Sequence, residues 1–319
     1  MVFFMKNSII DIINNYNSFF LNKKNVIGIG RGFKVINGIN TKELSLNVLV
    51  EKKVSLSNLE KNNIIPENFL GIKTDVIQVG RINLNNRESN LPKPRLQSNP
   101  FSLVRPLRAG YSISPINSEF SGTLGCIVFD NLNNKPYILS NNHVLADNNK
   151  LEVGTPIVQP GGELNKNNII GKLSKVVYLN LSLKKNEGYF DNVPNHADCA
   201  IAELFPNIPY LKHIPSIGKV TGISTINLED KVKKFGISTH DTEGVIENLD
   251  VVIKCPVKPG ANAIFSKQIA ATRMSDKGDS GSLVVDANKK AVGIVFCATK
   301  SLTIINPINL ILNYFNVHF

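Results

Sequence analysis

Beyond residue 108 the chain breaks into short β-rich segments with turn residues between them. They lie at 125–129, 136–139, 156–159, 169–179, 200–204, 251–255, 282–285 and 291–296. Helical patterns do not alternate with them, which excludes a parallel α/β sheet and selects a barrel or a sandwich. No fixed-period repeat is present, so a solenoid is excluded as well. One closing helix is expected at 308–315, directly after Pro307.

The first third of the chain reads differently. Residues 7–20 predict an amphipathic packing helix, with Ile9, Ile10, Ile13, Tyr16 and Phe20 near one face. A strand follows over 25–35, then the turn Asn37-Gly38, a second strand over 43–50, a short helix over 55–62 and a third strand over 74–81. The run Gly28-x-Gly30-x-Gly32 lacks the third glycine of a dinucleotide loop, because Phe33 stands there, and it has no Gly-Lys-Ser/Thr ending. Residues 1–83 therefore read as a small α+β leader domain without visible chemistry. Asn85, Asn86, Asn90, Pro92, Pro94, Ser98 and Pro100 mark a linker over 84–107.

Composition narrows the class. The 319 residues are 42% hydrophobic and 19% charged, enough apolar surface for a real core and too little charge for a disordered polyelectrolyte. The 36 basic against 25 acidic residues give +11, but the charges are scattered. The stretch around Lys231, Lys233 and Lys234 and the basic residues between Arg87 and Arg108 fit no nucleic-acid motif. No apolar run reaches a membrane span. Lys6 follows the apolar start instead of preceding it, against the order of a secretory signal, so a cytoplasmic location is expected. The four cysteines, 126, 199, 255 and 297, are too sparse for a disulfide scaffold and too far apart for a zinc module, so reduced thiols are expected. His213, His240 and His318 have no ligand spacing, and neither a metal nor a cofactor is assigned.

Three segments carry candidate chemistry. Tyr137-Ile-Leu-Ser-Asn-Asn-His143 runs a strand into a turn that holds a histidine. His196-Ala-Asp198-Cys-Ala-Ile-Ala-Glu-Leu204 sets an aspartate ahead of a small-and-apolar strand. Lys277-Gly-Asp-Ser280-Gly-Ser-Leu-Val-Val285 sets a serine in a glycine-bounded turn before a buried strand. Each alone has an ordinary structural reading as a turn former. Their order, His, Asp, Ser, within one β-rich region is what gives them weight.

These segments resemble the active-site motifs of the trypsin/chymotrypsin-like serine peptidase superfamily. Gly278-Asp-Ser280-Gly281 matches the nucleophile motif residue for residue, while Asn141-Asn142-His143 replaces the usual Ala-Ala-His. The resemblance covers about 108–319 and implies a mostly β, two-barrel trypsin-like serine protease fold with the site between the barrels, preceded by the small α+β N-terminal domain. Val26-Ile-Gly-Ile-Gly, 48–54 and 74–80 resemble the leader domain of bacterial trypsin-like peptidases related to plant NARROW LEAF 1 proteins. That narrower resemblance implies a homo-oligomer.

The implied activity is that of a serine endopeptidase acting on a protein or peptide through an acyl-enzyme. His143 would be the base that takes the Ser280 proton, and Asp198 would hold the imidazole and stabilise its charged form. The backbone N–H groups of Gly278 and Ser280 would form the oxyanion hole. Family position places Met274 at the base of the primary pocket, which argues for an apolar or small side chain. Asp276 lies close enough to alter that preference. Phe296, Cys297 and Ala298 would form the pocket wall. In secreted relatives a freshly cut amino terminus pairs with the aspartate beside the nucleophile; for Asp279 either the leader domain leaves it another partner, which is the expectation, or cleavage within 84–107 frees a new terminus. His196 reads as structural. Two other readings stay open: a self-silenced, protease-shaped scaffold that binds a partner, and a nonpeptidic acyl hydrolase on the same barrels.

Overall fold

The computed structural model describes residues 8–82, 99–162, 164–181, 185–186, 189–190, 194–258 and 261–319. Two large, mostly antiparallel sheets dominate it. The first follows the hydrogen-bonded order Val317–His318, Cys126–Asp130, Pro136–Ser140, Ala200–Leu204, Ile169–Val176, Pro156–Val158, Ser112–Pro115, Gly122–Thr123. Its strands and turns bury Ile113, Leu124, Val128, Ile138, Leu139, Ile157, Ile170, Leu173 and Ile201 in one apolar cluster.

The second sheet begins with six strands: Lys231–Gly236, Leu283–Asp286, Ala291–Ala298, Leu302–Pro307, Ala261–Thr272 and His240–Lys258. An added pairing between the first and last of these closes them into a barrel, which leaves no free edge within the six. The strand His240–Lys258 is long enough to continue past that closure. Beyond it Val26–Ile36 joins antiparallel, followed by Ile39–Val50, Ile72–Gln78 and Asn68–Phe69. Ile39–Val50 and Ile72–Gln78 run parallel to each other.

The leader segment thus continues the second barrel's sheet. Gly28 and Gly32 leave room for this: a Cβ on Gly28 would lie 2.8 Å from the Val252 carbonyl oxygen, and one on Gly32 would lie 2.2 Å from the Asn47 amide. The turn Asn37-Gly38 joins Ile36 to Ile39, with both residues at positive φ, 51° and 79°. Two such residues make the tight turn whose twist matches the flanking strands.

The first helix is Ile9–Leu21, and a reciprocal Ser8–Asp11 capping box starts it. It buries Ile9, Ile12, Ile13, Phe20 and Leu21 against the leader strands. The expected stripe is therefore rotated. Ile10 and Tyr16 are exposed, although the Tyr16 ring still meets Phe69 edge-on at 5.6 Å. The helix expected over 55–62 is two short 3-10 turns, Leu56–Asn58 and Lys61–Asn63. The extended conformation of Leu59 separates them, in a stretch whose serines and asparagines compete for backbone bonds. The closing helix is Ile308–Phe315, ended by left-handed Asn316. Most of the expected linker lies outside the described residues. Leu107 at its end is fully buried in the first core and bridges to Tyr210.

Candidate active site

His143 rides on a single helical turn, Asn142–Leu145, at the end of Pro136–Ser140. The two asparagines before it fasten that turn. Asn141 donates to the Asp198 carbonyl at 2.7 Å. Asn142 donates to the carbonyl of Val177 at 2.8 Å and to the Asn149 side chain at 2.7 Å. The departure from Ala-Ala-His therefore adds hydrogen bonds that fix where the histidine stands.

Asp198 is buried, and its backbone N–H donates to the Asn306 side chain at 3.0 Å. Its carboxylate accepts the His143 backbone N–H at 3.1 Å and meets His143 Nδ1 at 2.6 Å. A carboxylate at Nδ1 selects the tautomer that leaves Nε2 free to accept a proton. Asn306 stands on the strand Leu302–Pro307, so both barrels hold the Asp198 end of the pair.

Ser280 and His143 both line one open cleft of about 1540 Å³ between the sheets. The Ser280 hydroxyl donates to the Phe296 carbonyl at 3.3 Å, and among the described residues no hydrogen bond joins it to His143. Substrate-free sites commonly hold this contact long, and it tightens when substrate arrives. Gly278 sits at φ +101° and Gly281 at φ +92°, a region favouring glycine. A Cβ on Gly281 would also lie 2.2 Å from Ser140 Oγ and 2.4 Å from the Thr123 carbonyl oxygen. Among the described residues, the backbone N–H groups of Gly278 and Ser280 have no protein acceptor.

Asp279 points away from the cleft and is completely buried. It receives the backbone N–H of Ser238 at 2.9 Å, of Thr239 at 3.2 Å and of Asp276 at 2.9 Å, with the Thr239 hydroxyl at 2.6 Å. Its cationic partner is Lys234, fully buried, with Nζ 3.3 Å from the carboxylate. Lys234 also donates to the Thr239 hydroxyl and, at 3.1 Å, to the His240 carbonyl. Burial holds its ammonium below the ordinary lysine range, and Asp279 counteracts that. In the sequence this residue is marked only as part of a basic stretch. An internal lysine supplies the cation with no need for a freed amino terminus.

The pocket residues divide. Phe296, Cys297 and Ala298 line the cleft. Met274 does not. Its side chain is fully buried among Val232, Ile246, Leu249 and Val284, facing the barrel core. The adjacent Arg273, Ser275 and Asp276 reach the cleft instead. Asp276 is engaged by Arg273 at 2.9 Å, so its charge is paired. His196 faces Ser266 at 2.9 Å, outside the cleft lining, and burial together with Lys267 lowers its imidazole pKa. The leader segment, which looked free of chemistry, contributes Gly80, Arg81 and Ile82 to the cleft wall. The Ser301 backbone N–H holds it there by donating to the Val79 carbonyl at 3.3 Å.

A curled sheet and a closed barrel with a His–Asp–Ser cleft between them define a chymotrypsin-like protease fold. Among solved structures, the chain is similar to protease A of Thermobifida fusca, at 16% identity over 66% of this chain and 96% of that one, TM-score 0.48. It is also similar to a Nocardiopsis protease, at 16% identity over 66% and 96%, TM-score 0.47, and to a Cellulomonas bogoriensis chymotrypsin, at 16% over 67% and 98%, TM-score 0.46. No protein-family model and no curated protein matches the chain.

Proposed function

We propose that the protein is a serine endopeptidase that cleaves peptide bonds through an acyl-enzyme. The observation that carries the reading is the 2.6 Å bond between His143 Nδ1 and buried Asp198 on the cleft that also holds Ser280. In this reading the Ser280 hydroxyl turns from the Phe296 carbonyl to His143 Nε2 when a substrate carbonyl arrives. The imidazole takes the proton as Oγ attacks, then returns it to the leaving amine. Asp198 stabilises the transient imidazolium. The unpaired N–H groups of Gly278 and Ser280 receive the charge that develops on the carbonyl oxygen. Lys234 and Asp279 keep those donors in place from behind. Phe296, Cys297 and Ala298 form one wall for the side chain before the scissile bond, with Arg81 and Ile82 of the leader segment on the same cleft.

Cleavage-site profiling on a mixed peptide library tests this. Wild type should yield new peptide termini that are absent with Ser280→Ala. Equal peptide patterns from the two proteins would refute the endopeptidase. Turnover confined to small esters would favour the nonpeptidic acyl hydrolase.

A further inference from the structure

Two of the four cysteines meet in the cleft wall. Cys255 Sγ and Cys297 Sγ lie 3.4 Å apart, and both residues line the cleft that holds Ser280. Cys255 is buried and Cys297 is partly exposed. Cys255 is on His240–Lys258 and Cys297 is on Ala291–Ala298, strands separated in the sheet order by two others. The sulfurs therefore touch between strands that are not ladder neighbours, at the apolar cluster that also holds Phe265 and Phe296. The pairing of Ala291–Ala298 with Leu302–Pro307 slips between Val295 and Cys297, a bulge of the kind that re-aims a side chain.

We propose that Cys255 and Cys297 form an oxidisable dithiol whose disulfide reversibly closes down the substrate pocket. The pocket half of this statement rests on the endopeptidase reading; the chemistry of the two thiols does not. The oxidant is a low-molecular-weight disulfide, which reaches the site through the cleft. The thiolate of Cys297, the sulfur open to the cleft, attacks it, forming a mixed disulfide and releasing one small thiol. The Cys255 thiol passes its proton to the departing small thiolate as its sulfur attacks the Cys297 sulfur, forming the protein disulfide and releasing the second small thiol. Two protein thiols are oxidised and one small disulfide is reduced. A disulfide needs sulfurs about 2.05 Å apart, so from 3.4 Å the two sulfurs draw together by more than about 1 Å and pull the Phe296–Cys297 stretch of the wall with them.

That closure acts on working parts. Cys297 follows Phe296, whose carbonyl accepts from Ser280 and whose ring packs on Phe265 at 4.4 Å between centroids. Cys126 and Cys199 are buried and, among the described residues, have no sulfur partner, so they serve as internal controls.

The test oxidises the full-length reduced protein with oxidised glutathione and reads two quantities. The first is intact mass with a non-reducing peptide map. The expected result is a loss of two hydrogens and a single linked peptide pair joining Cys255 to Cys297, absent from Cys255→Ala. The second is kcat/KM on a peptide substrate, expected to fall at least about tenfold on oxidation, to recover with dithiothreitol, and not to respond in Cys297→Ala, which lacks the attacking sulfur. A stable glutathione adduct on Cys297, or two thiols left free, overturns the proposal. So does a linked pair with unchanged kcat/KM. A reduced protein that turns over no peptide refutes the endopeptidase reading, and the map still decides the chemistry of the thiols.

Discussion

Replacing Lys234 with methionine keeps the stem of the side chain and deletes its charge. Asp279 then stays fully buried without its cation, retaining the donors from Ser238, Thr239 and Asp276. Removing one partner of a buried pair typically costs about 3–5 kcal/mol. The remaining donors put Lys234→Met near the lower end, about 3 kcal/mol. Part of that strain is relieved if the 276–280 turn swings outward, which displaces the N–H groups of Gly278 and Ser280. Losing one oxyanion donor costs about 10²–10³ in kcat, and kcat should fall by that much with a smaller change in KM. Asp279→Asn leaves Lys234 uncompensated and should be comparably unstable. The double variant removes both charges and should recover at least about half of the lost stability. Urea denaturation of the four proteins gives the coupling directly. A single variant within about 1 kcal/mol of wild type, or costs that add to within about 0.5 kcal/mol, would refute the reasoning.

Asp198→Asn should lower kcat by about 10⁴-fold with little change in stability, read by steady-state kinetics, because the wrong imidazole tautomer is then favoured. Activity should fall on the alkaline side at a pH below 10.5, the ordinary lysine value, because burial depresses the Lys234 ammonium and its deprotonation dissolves the pair with Asp279. A pH profile of kcat/KM that stays flat to that value would contradict this. Gly281→Ala should destabilise the fold by at least about 1–3 kcal/mol in thermal or urea melts, from its positive φ and the clash with Ser140 and Thr123. Asn306→Ala should lower kcat more than it raises KM, since Asn306 positions Asp198 and does not line the cleft.

What could be read from the sequence was local. The glycine-bounded serine, the histidine turn and the aspartate strand each carry their signal within a few residues, and so do the turn Asn37-Gly38 and the helix Ile308–Phe315. What could not be read depends on pairing between distant segments. Lys234 meets Asp279 because Lys231–Gly236 pairs with Leu283–Asp286, which brings a lysine from an apparently solvated basic run into the interior. The leader segment reaches the cleft through the ladder of Val26–Ile36 on His240–Lys258, backbone bonds that leave no residue pattern. The strand Leu302–Pro307 is hidden in the sequence because Thr303 and Asn306 are buried as hydrogen-bonding residues on its two faces, blurring its alternation. Met274 was misplaced because family position fixes a point along the turn, while packing decides which face of the turn a side chain takes.

The most direct measurement of the central claim is intact-mass detection of a fluorophosphonate adduct on the reduced, full-length protein. One adduct should form and map to Ser280. It should be absent from Ser280→Ala and form far more slowly in His143→Ala. No adduct on wild type, or an adduct that persists in Ser280→Ala, would contradict the claim that these side chains make the residue 280 hydroxyl a nucleophile.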